Sequence, residues 1–254
     1  MSPVLRRLAD RALLGTRLAY LPVRVRKGVA AGAWWTIYPW TSYWRGKHEP
    51  AVQDAVLALG DLTGKACWDL GAHYGLYSVG LARRVGPTGE VAAFEPNPVS
   101  FRRLELHTRR NHLAWLKLFR AAASDRNGTD ELLTYGTLDQ TSTHLAYEGE
   151  IKSADSAPIE ISTVRLDDLV AAGRIRTPHF VKVDIEGHAH KAFAGASETI
   201  RRSRPIVIAA FHSPAEKAGV EQVLNPLRYS VEPLPTAVAG DRKEWFGDYL
   251  CRPL

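Results

Sequence analysis

Lys65-Ala66-Cys67-Trp68-Asp69-Leu70-Gly71-Ala72-His73-Tyr74-Gly75 is the stretch on which the reading of this chain turns. Its first half is a short apolar run, which reads as a buried strand. The residues from Leu76 to Val85 read as a helix, and two glycines bracket the turn between them. Such a turn lets the backbone bend tightly and lets a ligand approach closely. Val91-Ala92-Ala93-Phe94-Glu95 is a second buried strand, and it ends in a carboxylate twenty residues after Gly75. In a βαβ unit an acid at that spacing lies where a ribose sits and accepts from its hydroxyls. The first half of the chain is therefore expected to hold a nucleoside-containing cofactor. Gly71, Ala72, His73, Tyr74, Gly75 and Glu95 are its candidate contacts, with Asn97 in support of Glu95.

The turn is not the dinucleotide fingerprint, because His73 stands where the central glycine of G-x-G-x-x-G belongs. A nicotinamide dehydrogenase is disfavoured on that ground. No Lys-Ser or Lys-Thr follows, so a P-loop is absent as well. An acid two residues before the first glycine, here Asp69, resembles the opening of class I S-adenosylmethionine (SAM) methyltransferases. That resemblance places Asp69 and the Gly71–Gly75 turn at the methionine end of SAM.

Working outward, strands are expected near 66–70, 91–95, 115–121, 180–185, 205–211, 229–234 and 244–252. Helices are expected near 50–59, 76–85, 98–112, 166–172, 188–202 and 214–225. Alternation of this kind predicts an α/β, doubly wound, mainly parallel sheet. The last two strands are expected as a C-terminal antiparallel hairpin, completing a seven-stranded, Rossmann-like methyltransferase sheet. Residues 129–164 interrupt the alternation and read as an inserted ribbon and loop near the active site. Residues 49–254 are expected to form the catalytic domain, preceded by a basic, aromatic helical extension or lid over 1–48.

The extension carries the chain's charge asymmetry. Residues 1–48 hold nine Lys or Arg and one acid, Asp10, whereas the remainder carries 24 basic and 26 acidic residues. The net charge of +6 thus belongs to the N-terminal segment. A nucleic-acid enzyme would place basic residues around its cleft, so no nucleic-acid partner is expected. Leu5, Leu8, Ala9, Ala12 and Leu13 share one helical face, and Trp34, Trp35, Trp40 and Trp44 lie within eleven residues. This combination suits peripheral membrane contact through residues 1–45, or equally a lid packed on the domain. No apolar run reaches the length that spans a bilayer. Two isolated cysteines, Cys67 and Cys251, read as buried reduced thiols, which suits a cytoplasmic protein, peripheral at most at the inner face of the membrane.

Further motifs follow in order: Gly46-Lys47-His48-Glu49-Pro50, Phe94-Glu95-Pro96-Asn97-Pro98, Ala122-Ala123-Ser124-Asp125, Val181-Lys182-Val183-Asp184-Ile185-Glu186-Gly187 and Phe193-Ala194-Gly195-Ala196. Together they resemble the FkbM family of SAM-dependent methyltransferases over roughly residues 43–234. The resemblance implies SAM as cofactor and O-methylation of hydroxyls on sugars, glycolipids and polyketides. It also implies that Ser124 and Asp125 reach the adenine amino group. Two positions depart from the family pattern, which usually has glutamates where Ala189 and Ala210 stand. Any part those carboxylates play in relatives does not carry over.

Asp184, Glu186 and His212 fall just after predicted strand ends, where doubly wound sheets bind ligands. The sulfonium is already a strong electrophile, so the enzyme must chiefly align a nucleophile and take its proton. Glu186 and His212 are the candidate bases, with Asp184 beside the transferred methyl. A divalent ion held by Asp184, Glu186, His188, His190 or His212 is compatible with these residue types but not favoured, and no metal ligand is assigned. His48, Glu49 and Thr141 are candidates for the acceptor side. The expected reaction is O-methylation of a sugar hydroxyl on a glycolipid, glycan or glycosylated natural product. An RNA or protein N-methyltransferase and a non-catalytic SAM-binding scaffold are the alternatives. No Asn/Asp-Pro-Pro-Tyr motif supports the former, and Ala189 with Ala210 motivates the latter.

Overall fold

The computed structural model describes residues 20–36, 43–135, 143–145, 156–235 and 246–254, with backbone alone at 134–135, 143–145 and 156–157. The amphipathic stretch at 5–13, Trp40 and Thr141 lie outside the described residues. Two short strands come first, β1 (Pro22–Arg24) and β2 (Trp34–Thr36), paired antiparallel. Helix α1 (Pro50–Leu57) follows, with Pro50 at its first position as the missing N–H of proline favours.

Strand β3 (Ala66–Leu70) leads through the glycine turn into α2 (Leu76–Val85), then β4 (Glu90–Phe94), α3 (Pro98–Arg110) and β5 (Leu116–Phe119). The other half of the sheet comes from β10 (Phe180–Val183), β11 (Ile206–Phe211), β12 (Tyr229–Pro233) and β13 (Gly247–Pro253). The order across the sheet is β12-β13-β11-β10-β3-β4-β5. Only β13 runs against its neighbours, so the final pair is the expected antiparallel hairpin, with Tyr229 opposite Pro253. The chain leaves β3 toward β4 and β5 on one side and returns through β10 and β11 on the other. The strand order therefore reverses between β3 and β10, and a crevice opens there at the carboxyl ends.

Alternation along each strand builds two cores. Cys67, Val91, Ala93 and Phe180 face α1–α3, together with Val52, Leu81 and Leu104. Trp68, Ala92, Phe94, Val181 and Val207 face the opposite layer, with Phe193, Ile200 and Val220. Both faces being covered is why these strands read as continuous apolar runs. Cys67 and Cys251 are buried free thiols, as expected.

The aromatic segment before α1 is partly core. Trp35 is 1% exposed and stacks on His107 of α3 at 3.7 Å. The Thr36 N–H donates to His107 Nε2 at 3.1 Å, so the ring proton sits on Nδ1 and is donated to the Tyr74 carbonyl at 2.7 Å. Among the described residues no helix is long and apolar enough to cross a membrane.

The second sheet has the order β6-β9-β7-β8, made of β6 (Ala122–Ala123), β7 (Gly128–Tyr135), β8 (Thr143–Leu145) and β9 (Ser156–Val164). Its long antiparallel pair is the ribbon expected within 129–164. Helix α4 (Leu166–Ala171) connects it to β10.

One expected helix is two. Residues 188–202 form α5 (Ala189–Ala194) and α6 (Ser197–Ser203), broken at Gly195-Ala196. The break has a tertiary cause. Asp167 of α4 caps α6, accepting from Thr199 N at 2.9 Å and Glu198 N at 3.1 Å, while its own N–H donates to the Gly195 carbonyl. A Cβ on Gly195 would lie 1.9 Å from the Ser124 carbonyl oxygen. Gly195→Ala is accordingly expected to destabilise the fold by about 1–3 kcal/mol through overpacking, read as a lowered midpoint in thermal unfolding.

Candidate active site

The switch point is built from two turns that touch. Gly71 follows β3 with φ 84°, and a Cβ there would lie 1.9 Å from the Asp184 carbonyl oxygen. No side chain fits between the two strand ends, which explains why glycine stands at 71. His73 (φ 48°) and Glu186 (φ 48°) are left-handed without being glycine. Such strained residues persist where the surroundings over-determine them, commonly at functional sites.

A cavity of about 190 Å³ lies over these turns. One wall is Glu95. It is 5% exposed, and each of its oxygens accepts a backbone N–H: Oε2 from His73 at 2.7 Å and Oε1 from Asn97 at 2.8 Å. Burial raises its pKa to about 7, against the two N–H bonds that lower it and with Asp69 and Asp184 adding repulsion. Beyond Glu95 the lining is apolar: Phe94, Pro96, Ala121, Ala122, Ala123 and Leu132 of the ribbon. His188 completes that end, held neutral by burial, which lowers its pKa to about 4. Opposite lie Tyr43, His48, Glu49, Asp184, Ile185 and Glu186.

A smaller adjoining pocket of about 40 Å³ is lined by Ala72, Tyr74, Leu76, Tyr77 and Lys182, with Tyr43, His48, Glu49, Gly71, His73 and Asp184 shared. Lys182 is 4% exposed, and its ammonium lies 3.2 Å from Asp184 Oδ2 and 4.7 Å from the centre of the Tyr77 ring. Burial alone would lower its pKa, but Asp184, Glu49 and Asp69 outweigh it and hold the lysine charged. Glu49 is the mirror case. Burial would raise its pKa, yet His48 at 3.0 Å, Lys182 and the Tyr77 hydroxyl at 2.8 Å bring it down to about 2.

Other expected contacts stand behind the wall. Asp69 is 1% exposed, lines neither pocket, and accepts from Ser78 of α2. Burial raises its pKa above the ordinary carboxylate range. Gly75 caps α2 with φ 90°, where a Cβ would crowd Leu104. The Asn97 side chain is occupied as the N-cap of α3, accepting from Val99 N and Ser100 N. It serves Glu95 only through its backbone N–H. Ser124 and Asp125 also lie outside the lining. Ser124 donates to Asp125 at 3.1 Å and sits 3.3 Å from His188 Nε2, and Asp125 faces Arg126 in the following turn.

His212 follows β11 at the outer rim, beside Asp184 and Glu186. Its Nε2 is 3.7 Å from Asp184 Oδ1 and 3.5 Å from Glu186 Oε2. One donor atom from each of the three lies within 4.8 Å of the others, a spacing that suits a divalent cation. Lys182 already neutralises the other Asp184 oxygen, which works against such an ion. Burial would lower the pKa of His212, but Glu216, Glu186 and Asp184 together raise it to about 9. The resting ring is an imidazolium at neutral pH.

The motifs did not single out Tyr43, Leu132 or Glu216, and they raised His188 only as a possible metal ligand. Tyr43 belongs to the aromatic extension and falls in none of the motifs. Leu132 and His188 reach the cavity through long-range packing, which leaves no local signature. Glu216 did leave one: Ser213-Pro214-Ala215-Glu216 is a capping-box spacing.

The methyltransferase FkbM domain model matches residues 69–236, from the strand-end Asp69 past β12, which is well over half of the chain. The chain belongs to the FkbM methyltransferase family. Its methyl donor is S-adenosylmethionine, and its sheet is the Rossmann-like methyltransferase sheet.

Among similar proteins, hexuronic acid methyltransferase AglP of Haloferax volcanii is 29% identical over 173 residues, covering 65% of this chain and 63% of that protein. The 2-O-methyltransferase NoeI of Sinorhizobium fredii is 27% identical over 132 residues, covering 46% of this chain and 52% of that protein. The chain thus spans between about half and two thirds of the length of the curated relatives it matches. A solved methyltransferase FkbM from Methylobacillus flagellatus shares the fold at a TM-score of 0.50 and 16% identity, over 74% of this chain and 43% of that one.

Proposed function

We propose that this methyltransferase moves the methyl group of SAM onto a hydroxyl of a sugar, carried on a glycan, glycolipid or glycosylated natural product. The observation that carries the reading is the meeting of Asp184, Glu186 and His212 at the ends of β10 and β11, on the rim of the cavity that holds Glu95. The hexuronic acid named for AglP and the O-methylation named for NoeI support the same reading.

In this reading Glu95 takes the ribose hydroxyls on the lone pairs its two N–H bonds leave free. The apolar wall from Phe94 to Leu132 packs on the adenine, with Ser124 and Asp125 behind that wall rather than in the lining. The Gly71–Gly75 turn and the smaller pocket receive the methionine end, and Asp69 stiffens that turn from beneath through Ser78. The acceptor enters past His48 and Glu49. Its oxygen attacks the sulfonium methyl in line. The carbon–sulfur bond breaks to leave S-adenosylhomocysteine, and the hydroxyl proton passes to His212.

Calorimetric titration of SAM and S-adenosylhomocysteine, with and without EDTA, tests the cofactor assignment. Binding is expected to be indifferent to EDTA, and hydroxylated sugars, uronic acids among them, are then screened as acceptors. Glu95→Ala is expected to weaken SAM binding by about 10- to 100-fold, on the order of one charge-assisted hydrogen bond, while thermal unfolding stays cooperative. Unchanged affinity would end the ribose assignment.

Glu95 also sets a pH dependence. Its carboxylate binds the two ribose hydroxyls best when ionised, because protonation turns one acceptor oxygen into a donor, and burial holds its pKa near 7 in the free protein. Below that pH a proton must leave before SAM binds, so affinity falls as pH is lowered from about 7 and levels off above it. Glu95→Gln should abolish this slope; a wild-type affinity flat from pH 5 to 8 would contradict the assignment.

A further inference from the structure

Behind the rim formed by Asp184, Glu186 and His212 stands a further carboxylate, to which the reaction as described gives no part. Glu216 lies in the first turn of α7 (Pro214–Leu224) and is fully buried, an unusual state for a glutamate. Its two oxygens reach three groups. Oε1 accepts from the Ala189 N–H at 3.0 Å, and Oε2 accepts from the His212 N–H at 2.7 Å. Oε2 also faces His212 Nδ1 at 3.5 Å, on the side of the ring away from Asp184 and Glu186; Nδ1 is buried and makes no hydrogen bond in this structure, so the Glu216 carboxylate is the acceptor nearest to it. The helix does not need this arrangement for its start, because Ser213 already accepts from the Glu216 N–H as N-cap.

We propose that Glu216 is a positioning residue for methyl transfer: its carboxylate keeps a proton on His212 Nδ1 and thereby turns Nε2 toward Asp184, Glu186 and the acceptor hydroxyl. The inference rests on the reading of His212 as proton acceptor. A neutral imidazole has one donor and one acceptor nitrogen, and the partner of one fixes the state of the other. Both nitrogens face carboxylates, but Nδ1 is buried against the fully buried Glu216 while Nε2 faces the partly exposed Asp184 and Glu186, so Nε2 is the nitrogen open to proton exchange with substrate. The same anion strengthens the base, which suits a sugar hydroxyl, itself a very weak acid. The other charged groups around the ring are Asp184 and Glu186 on the β10 side, with Lys182 behind Asp184, and Asp248 of β13, which pairs in register with Ala210. These stay in place when Glu216 is changed.

Imidazole ¹⁵N spectroscopy of the full chain across pH 5–10, without any acceptor, tests the proposal on wild type and Glu216→Gln. Wild-type His212 is expected to titrate near pH 9 and to carry its proton on Nδ1 once neutral. In Glu216→Gln the titration should fall by about one pH unit or more, and the neutral ring should shift toward the Nε2–H tautomer. Ser213→Ala, which removes the cap but leaves the carboxylate, should lower the unfolding temperature without moving either signal. A folded Glu216→Gln protein with unchanged titration and tautomer overturns the proposal and leaves Glu216 a structural cap. If Glu216→Gln does not fold, Glu216→Asp replaces it: a carboxylate withdrawn by one methylene should lower the titration, and an unmoved one again overturns the proposal. Failure of SAM to bind the wild type would refute the methyltransferase mechanism instead, and leaves this spectroscopic result standing on its own.

Discussion

Replacing His212 by Asn is expected to lower kcat by about 10²- to 10⁴-fold, the range that general-base catalysis supplies, with SAM affinity within a few-fold of wild type. The separation follows from the geometry. His212 sits among Asp184, Glu186 and Glu216 at the rim and lines neither pocket, so its loss removes proton transfer rather than cofactor contacts. The wild-type pH profile carries the sign. A pKa raised to about 9 means that the ring is charged below that pH and must lose its Nε2 proton before it can accept another. kcat/KM is therefore expected to rise about tenfold per pH unit toward a plateau near pH 9, and that limb should vanish in the Asn variant. The measurement is initial rate against pH with a sugar acceptor from the screen. If the variant kept its activity at every pH, the proton would go to Glu186 or to a metal-bound acceptor. In the second case EDTA would abolish the wild-type rate.

Gly71→Ala is expected to abolish measurable SAM binding. The added methyl would lie 1.9 Å from the Asp184 carbonyl oxygen, and backbone at the end of a central strand cannot swing aside as a flexible side chain would. The left-handed φ of 84° adds a conformational cost for any residue with a Cβ. Relief requires β3 and β10 to part at the point where the cofactor crevice opens, displacing the turn that donates the His73 N–H to Glu95. Calorimetry with SAM, paired with thermal unfolding, checks the outcome: lost binding together with a lowered but cooperative transition. Near-wild-type affinity would show that the turn does not shape the cofactor site. Gly86 makes a suitable control, being left-handed with open space around its missing Cβ, so Gly86→Ala should cost some stability and no affinity.

Much of this protein was legible in one dimension because its information is local. The runs Val91–Phe94 and Ile206–Phe211 are apolar on both faces, as is Ala66–Leu70 apart from Asp69, which fits central strands of a covered sheet, and each is a strand of the sheet. The glycine turn and Glu95 kept their spacing because a βαβ unit has a nearly constant length, and the Glu95 carboxylate does face the cavity. The C-terminal hairpin was legible from two β-rich runs around a polar loop. The break of residues 188–202 was not, because helical periodicity runs through Phe193-Ala194-Gly195-Ala196. What stops the helix is Asp167 from α4 and the carbonyl of Ser124, both brought there by folding.

The site divides in the same way. Sequence determined which residues stand at the carboxyl ends of the strands, since a strand's end and the polar residue after it are adjacent along the chain. Only the tertiary structure decided which of them share a space. It placed Asp69 beneath the turn rather than in the cavity and bound the Asn97 side chain to its own helix. It set Leu132 and His188 in the cavity wall and brought Glu216 behind His212. These are distances between side chains on separate elements, fixed by how helices and ribbon pack on the sheet, and no spacing along the chain encodes them.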